Sequence, residues 1–261
     1  MWLAQESSIP CVLICDSRRA ILSDDFEFET LLRLFSLETQ RKITNKRERK
    51  LRNLALCNQL LQLASLSRAS GQAWRETKFE FNAYGKPQCA GFPNLSFNMS
   101  NSDGRTAIYL DLESDVGLDL ASTKDCQNFG EENYLEVFRP IFTEHEFRHL
   151  NKLPPGATRD RLFTHYWSLK EAYTKLKGVG LNCNLSEIDL GVIEPCTYKD
   201  SAQSIERDIG IDTIYFQSKW LDSDLIVSIC KVTGPKQPTM TKVPIVDLEL
   251  ADVVEWIHST K

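Results

Sequence analysis

The sequence predicts a fold of the α+β class. Two long stretches, residues 38–66 and 159–177, carry apolar side chains at the spacing of helices. Short apolar or alternating segments of strand length, such as 11–15 and 106–112, lie before and between them. With 261 residues, the chain is long enough to bury one large core or two smaller ones.

Composition and charge exclude several classes of protein. The chain is 42% hydrophobic and 26% charged, which is typical of a globular protein. Its formal charge of −5 argues against a protein built to coat nucleic acid. It has neither a basic-then-apolar leader nor an apolar run of membrane-spanning length, so we expect no secretion and no membrane partner. Eight scattered cysteines without a C-x-x-C pair predict free thiols in a cytoplasmic protein.

The first 100 residues predict a strand, two helical stretches and a second strand. Residues 11–15 have the composition of a buried strand, and 27–35 have the spacing of a helix. A turn at 82–87 precedes a strand at 95–97. The helical stretch 38–66 is apolar in its second half. Its first half is basic, with Arg41, Lys42, Lys46, Arg47, Arg49, Lys50 and Arg52.

Two strands are expected in the middle of the chain. Residues 106–112 and 116–120 are separated by a short polar turn, and we expect them to pair as a hairpin. Side chains alternate across a strand. Asp119 is therefore predicted to point away from the face shared by Val116, Leu118 and Leu120.

The remaining elements are one capped helix, one long helix and several strands. Thr143 and Glu146 have the spacing of a capping box that opens a helix. The long helix runs from 159 to 177 and is stopped by Gly178 and Gly180. Strands are predicted near 189–193, 213–220 and 225–232, and an amphipathic helix at 246–257 follows a Pro-rich segment.

The polar residues of greatest interest have ordinary interpretations when each is taken alone. Glu171 and Lys175 lie one turn apart on the long helix, a spacing typical of a surface ion pair. A single Asp119 on a strand is compatible with a solvated face, and residues 98–102 with an Asn/Ser turn. These segments indicate function only through their combination and order.

Taken together, the segments resemble the 4′-phosphopantetheinyl transferases of the large, pseudo-dimeric type. The family signature runs G-K/R-P, F-N-x-S-H, G-I/V-D, F-x-x-x-E and W-x-x-K-E-A/S-x-x-K-x-x-G-x-G-L. The chain offers, in the same order, Gly85-Lys86-Pro87, Phe97-Asn98-Met99-Ser100-Asn101, Gly117-Leu118-Asp119, Phe142 to Glu146, and Trp167 to Leu181. The last of these segments is the most specific.

Two further stretches, 21–28 and 58–63, resemble the branch of the family that activates α-aminoadipate reductase in yeast lysine biosynthesis. The resemblance implies two similar α+β halves, 1–110 and 111–261, the second carrying most of the metal and catalytic residues. Each half would be a small antiparallel sheet packed on a long helix, with coenzyme A in the cleft between the halves.

The implied activity is transfer of the 4′-phosphopantetheine moiety of coenzyme A to a serine of an apo carrier protein domain, releasing adenosine 3′,5′-bisphosphate. The expected carrier belongs to α-aminoadipate reductase. The resemblance further implies Mg²⁺ as cofactor and a cytoplasmic monomer that binds neither nucleic acid nor membrane.

The resemblance also implies roles for individual residues. Asp119 and Glu171 would hold Mg²⁺ on the pyrophosphate, and Lys175 would contact that pyrophosphate and stabilise the leaving group. Glu146 would lie near the metal, and Glu171 would accept the proton of the serine, directly or through water. The coenzyme would be held by Lys86 and Pro87 at the adenine, by Ser100 and Asn101 at the 3′-phosphate, and by Lys46 and Arg52 at a phosphate.

The sequence departs from the family pattern at two positions. Ala121 stands where many members have a second carboxylate, two residues after the aspartate. Magnesium tolerates this change, because it keeps several waters and is often held by one or two carboxylates. Asn101 stands where many members have histidine, so it can donate a hydrogen bond to a phosphate but brings no positive charge.

Three alternatives remain at this point. An acyltransferase that binds coenzyme A would need a catalytic His or Cys, and the four histidines, His145, His149, His165 and His258, form no persuasive arrangement. A module that binds acidic proteins or RNA could use the basic stretch 41–52, with strongly salt-dependent binding. A catalytically silent relative is compatible with Ala121 and Asn101.

Overall fold

The computed structural model describes residues 9–82, 85–129, 133–178, 183–233 and 242–259. The described strands are β1 (Cys11–Asp16), β2 (Phe79–Phe81), β3 (Pro87–Cys89), β4 (Ser96–Ser102), β5 (Arg105–Asp111), β6 (Val116–Ser122), β7 (Gln203–Ile209), β8 (Asp212–Trp220), β9 (Leu225–Thr233) and β10 (Ile245–Leu248). The described α-helices are α1 (Asp25–Leu32), α2 (Leu37–Thr44), α3 (Arg49–Ser70), α4 (Tyr134–Val137), α5 (Glu144–Asn151), α6 (Ala157–Lys177) and α7 (Leu250–Ser259). Among these helices, none has both the length and the apolar character to cross a membrane.

The chain divides into two compact units. The first contains Met1–Glu80, Pro87–Glu113 and Pro244–Lys261, and the second contains Phe81–Lys86 and Ser114–Val243. Each unit has one four-stranded sheet and one long helix, α3 or α6, so the α+β fold with two similar halves is confirmed. The predicted boundary after residue 110 lies near the observed change of unit, but the C-terminal segment belongs with the first unit.

The first unit is built on a sheet of order β10-β1-β5-β4. The pairs β1–β5 and β4–β5 are antiparallel, whereas β10 lies parallel to β1. Helix α3 packs against this sheet and also against α7. The core between them is aliphatic and includes Leu13, Leu56, Leu60, Ile108, Val253 and Ile257.

Two predictions about helices in this unit need correction. The stretch 38–66 is not one helix, because the backbone of Glu48 is extended and separates α2 from α3. The predicted helix 246–257 begins later, since residues 245–248 form β10 instead. The backbone of β10 bonds to the edge of β1, and α7 then buries Leu250 and Trp256 in the core of the first unit.

The second unit has an entirely antiparallel sheet of order β6-β9-β8-β7, against which α6 packs through β6 and β9. The predicted hairpin of 106–112 with 116–120 is wrong. Strand β5 already has β1 and β4 as neighbours, so β6 pairs with β9 instead. Strand β7 was not among the elements predicted from the sequence.

The segment 189–193, predicted as a strand, has no regular secondary structure. Its backbone groups bond to side chains instead of to a neighbouring strand. Leu190 N donates to Glu146 Oε1 over 2.8 Å, and Ile193 N donates to Tyr166 Oη over 3.2 Å.

The contribution of α7 to the first unit can be measured by shortening one core side chain. We expect Leu250→Ala to lower the free energy of unfolding by about 2–5 kcal/mol, because it removes a buried side chain and leaves a cavity. Urea unfolding followed by circular dichroism measures the change. Glu255→Ala, on the exposed side of α7, is the control and should change stability by less than about 0.5 kcal/mol. Equal effects of the two substitutions would contradict this placement of α7.

Candidate active site

Helix α6 presents one narrow stripe outside the core of the second unit. Between residues 162 and 176, all side chains are buried except those of Trp167, Glu171 and Lys175, which are partly exposed. Their spacing of four residues places them one above another on the same side of the helix. The long helix predicted from the sequence therefore carries its two charged candidates towards the surface.

Strand β6 lies against α6 more closely than a side chain would allow. A Cβ atom at Gly117 would lie 2.0 Å from the Ala172 carbonyl oxygen and 2.7 Å from Leu176 N. Only glycine fits this contact without a shift of the strand or the helix. Because side chains alternate along a strand, Asp119 and Ala121 share the face of Gly117 that is turned towards α6.

The close approach brings Asp119 to the charged stripe of α6. Lys175 Nζ lies 2.7 Å from Asp119 Oδ1, and the aspartate is only 6% exposed. Glu171 lies one turn before Lys175, and its buried Oε1 atom has no hydrogen-bond partner. Burial raises the pKa of Glu171, the negative charge of Asp119 raises it further, and the positive charge of Lys175 opposes both.

This set of side chains suits a divalent cation. Carboxylate oxygens are the protein ligands that Mg²⁺ prefers, and the unpartnered oxygen of Glu171 is available to a cation. The described part of the chain contains no group of three or more His, Cys, Asp or Glu residues arranged for a metal. This site has only two carboxylates, those of Asp119 and Glu171. A third is absent because position 121, where many family members have a carboxylate, is alanine.

Ala121 has the orientation predicted from the sequence, but it packs against apolar side chains. It is 5% exposed and lies in a cluster with Trp220 and Ile226. It also borders a cavity of about 310 Å³, whose walls include Phe138, Phe163 and Trp167. A larger side chain at position 121 would have space in this cavity, whose lining does not include Asp119 or Glu171.

Lys86 connects the beginning of β6 with the end of α6. Its Nζ atom donates to the carbonyl oxygens of Val116 at 3.1 Å and of Leu176 at 3.3 Å, and burial lowers its pKa. Helix α6 ends at Lys177 and is capped by Gly178, whose φ of +66° is a left-handed conformation that favours glycine. The ammonium of Lys86 is thus engaged with backbone carbonyls, and adenine binding by Lys86 and Pro87 stays a prediction.

Glu146 is not placed as predicted. Its side chain is completely buried, so it cannot contact a substrate, and its carboxylate is engaged by Lys170 at 2.8 Å and by the backbone N of Thr143 and of Leu190. The capping box of Thr143 and Glu146 is confirmed. The catalytic interpretation is corrected because the glutamate accepts bonds inside the core and does not reach the surface.

The other predicted coenzyme ligands belong to the first unit. Ser100 is buried and Asn101 exposed on β4, while Lys46 lies exposed between α2 and α3 and Arg52 is partly exposed on α3. A cavity of about 360 Å³ lies between the start of α3 and the turn that follows β4. Its lining includes Lys50 and Asn53 from α3, Arg18, and the turn residues Asp103 and Gly104. Arg18 was not a sequence candidate, because nothing in its local pattern sets it apart.

Some motif residues lie outside the described part of the chain. These are the turn residues 83–84, the motif end at 179–182 with Gly180 and Leu181, and the Pro-rich segment 234–241. All eight cysteines are free, as predicted. His165, a candidate for the alternative acyltransferase, is buried, and burial lowers its pKa to about 4.

Comparison with known proteins decides between the alternatives. The chain is 34% identical over 252 residues to the L-aminoadipate-semialdehyde dehydrogenase-phosphopantetheinyl transferase of Saccharomyces cerevisiae, covering 94% of this chain and 89% of that protein. The chain belongs to the 4′-phosphopantetheinyl transferase superfamily. The model of that superfamily matches residues 115–230, the segment that contains Asp119, Glu171 and Lys175.

Other relatives agree with this assignment. A Candida glabrata protein with the same name as the Saccharomyces protein is 30% identical over 251 residues, covering 95% of this chain and 92% of its own length. The 4′-phosphopantetheinyl transferase Sfp of Bacillus subtilis is 26% identical over 155 residues, covering 59% and 63% of the two chains. The protein is therefore a phosphopantetheinyl transferase that uses coenzyme A as its substrate and modifies a carrier protein.

The contact at Gly117 can be tested in this transferase. We expect Gly117→Ala to reduce transfer by about tenfold or more, since the new Cβ forces β6 away from α6, and a 1 Å displacement of reacting groups can cost about 100-fold in rate. Transfer of a fluorescent coenzyme A derivative to a carrier measures the rate. Glu206→Ala, on the exposed side of β7, is the control and should retain full activity. Full activity of Gly117→Ala would contradict the close contact.

Proposed function

We propose that Asp119, Glu171 and Lys175 form the phosphoryl-transfer site of this enzyme and that the site works with Mg²⁺. The observation that carries the proposal is the convergence of two carboxylates and an ammonium where β6 meets α6, with Lys175 Nζ 2.7 Å from Asp119. Glu171 supports it through a buried oxygen that has no hydrogen-bond partner. Asp119 and Glu171 would hold the ion.

The reaction needs charge neutralisation more than covalent help. The serine hydroxyl of the carrier attacks the phosphorus attached to pantetheine, and the bond from that phosphorus to the bridging oxygen breaks. The products are the carrier with 4′-phosphopantetheine joined to the serine oxygen through a phosphodiester, and adenosine 3′,5′-bisphosphate. When bound, Mg²⁺ would supply positive charge to the pyrophosphate oxygens, where negative charge develops.

Two side chains of the site have distinct tasks in this scheme. Lys175, partly exposed on the outer stripe of α6, would approach the pyrophosphate and stabilise the leaving phosphate. Glu171 would accept the proton of the attacking serine, directly or through water.

The carrier is proposed from the names of the relatives. The similar proteins of Saccharomyces cerevisiae and Candida glabrata carry L-aminoadipate-semialdehyde dehydrogenase in their names. We infer that this enzyme modifies the carrier domain of the corresponding α-aminoadipate reductase of lysine biosynthesis. We further propose that it acts in the cytoplasm as a monomer, and its free cysteines are compatible with a reducing compartment.

Coenzyme contacts in the first unit are part of the same proposal. Ser100 and Asn101 on β4 would meet the 3′-phosphate, with Lys46 and Arg52 as further phosphate contacts. The cavity formed by the start of α3 and the turn 103–104 lies beside the elements that carry Arg52 and Asn101, and its lining contains none of the four residues. Lys50 borders the same cavity and brings a positive charge that Asn101 cannot provide.

The decisive experiment incubates an apo carrier domain of α-aminoadipate reductase with coenzyme A, Mg²⁺ and this enzyme. Mass spectrometry should detect a gain equal to the phosphopantetheinyl group on one serine.

Asp119→Asn and Glu171→Gln should each reduce the rate by at least about 100-fold, which corresponds to about 2.7 kcal/mol, with unchanged thermal unfolding. Glu136→Gln, an exposed carboxylate of the same unit, is the control and should stay fully active. Activity of either site variant within about tenfold of wild type would remove that residue from the site.

The missing third carboxylate can be restored. Ala121→Glu places a carboxylate on the same face of β6 as Asp119, and the neighbouring cavity gives its side chain room. We expect tighter binding of Mn²⁺, a spectroscopic substitute for Mg²⁺, measured by electron paramagnetic resonance. Ala121→Gln has nearly the same size without the charge and should not tighten binding. A melting temperature lowered by many degrees without a gain in Mn²⁺ affinity would contradict this account, because a glutamate buried without a cation destabilises the fold.

A further inference from the structure

The core of the second unit contains an ion pair that never reaches solvent. The side chains of Lys170 and Glu146 are both 0% exposed, and their charged atoms lie 2.8 Å apart. Burying two charges costs several kcal/mol each unless other bonds compensate. The cost of burying this pair must therefore be offset by other bonds in the core.

Both members of the pair also bond to backbone groups. Lys170 Nζ donates to the carbonyl oxygens of Leu185 at 2.9 Å and Ile188 at 2.6 Å, in addition to Glu146. Glu146 Oε2 accepts from Thr143 N at 2.9 Å, and Oε1 accepts from Leu190 N at 2.8 Å. The bonds join three parts of the unit, namely the start of α5, the middle of α6 and the segment 185–190.

These bonds restrict how α6 can lie. Apolar side chains on a helix tolerate small sliding and rotation, whereas an ammonium with three fixed acceptors has few alternative positions. Lys170 directly precedes Glu171 in the chain. Side chains extend about 5–6 Å from a helix axis, so a rotation of about 10° would move the Glu171 carboxylate by about 1 Å.

We propose that Lys170 and Glu146 are positioning residues, which fix the rotation of α6 so that Glu171 faces Asp119 across the site. The inference rests on the proposed function, in which those two carboxylates hold the metal. It gives Glu146 a role in the reaction through α6 rather than through contact with substrate. Neither residue of the buried pair touches the reacting atoms.

The test compares two variants of α6 that should both weaken the fold. Lys170→Met removes the ammonium, and Leu162→Ala shortens a buried side chain of the same helix without touching the pair. Thermal unfolding, kcat, KM for the carrier and Mn²⁺ affinity in the presence of coenzyme A are measured well below both melting temperatures. We expect lower melting temperatures for both. Only Lys170→Met should lower kcat and Mn²⁺ affinity, each by about tenfold or more, with an unchanged KM for the carrier.

A second variant keeps the inference testable where Lys170→Met does not fold. Lys170→Arg retains the charge that Glu146 requires, but a guanidinium differs from an ammonium in length and donor geometry. We expect a folded protein with reduced kcat and reduced Mn²⁺ affinity. Wild-type values of kcat and Mn²⁺ affinity in Lys170→Arg, or equal losses in Lys170→Met and Leu162→Ala, would overturn the positioning role. Failure of the wild-type enzyme to bind Mn²⁺ with coenzyme A would instead overturn the proposed metal site.

Discussion

The contact between β6 and α6 is the constraint on which the candidate site depends. Gly117 lets the strand approach until a Cβ atom would lie 2.0 Å from the Ala172 carbonyl oxygen. This approach brings Asp119 of the strand to Lys175 of the helix. Lys86 then bonds to the backbone of both elements near the same end. A site made from two elements needs such a contact, because neither element carries enough ligands alone.

The electrostatics of the site follow from the same packing. Asp119 and Glu171 repel each other in a poorly hydrated place, and Lys175 offsets only part of that repulsion. The set has two carboxylates and one ammonium, so it carries an excess negative charge that a bound divalent cation would offset. Ala121 lowers the number of carboxylates that must be neutralised. This departure from the family pattern is compatible with a magnesium ion that retains several waters.

Buried and exposed charges have different roles in the second unit. The pair of Lys170 and Glu146 is fully enclosed and bonded to backbone groups of three segments. Glu171 and Lys175 are partly exposed on the outer stripe of the same helix. Adjacent residues of one motif thus differ in their surroundings, Lys170 being enclosed in the core and Glu171 partly exposed. In the proposed mechanism both would be needed, since a carboxylate that holds a metal must be kept in place by the helix that carries it.

The sequence by itself determined the α+β class, the long helix α6, the capping box of Thr143 and the family. Local spacing and motif order suffice for these, because they depend on neighbouring residues. Tertiary structure alone decided that β6 pairs with β9, that the C-terminal segment completes the first unit, and that Glu146 is buried. Strand partners and burial depend on residues far apart in the chain. A glutamate that caps a helix and one that binds a metal look the same in sequence, and only the surrounding core distinguishes them.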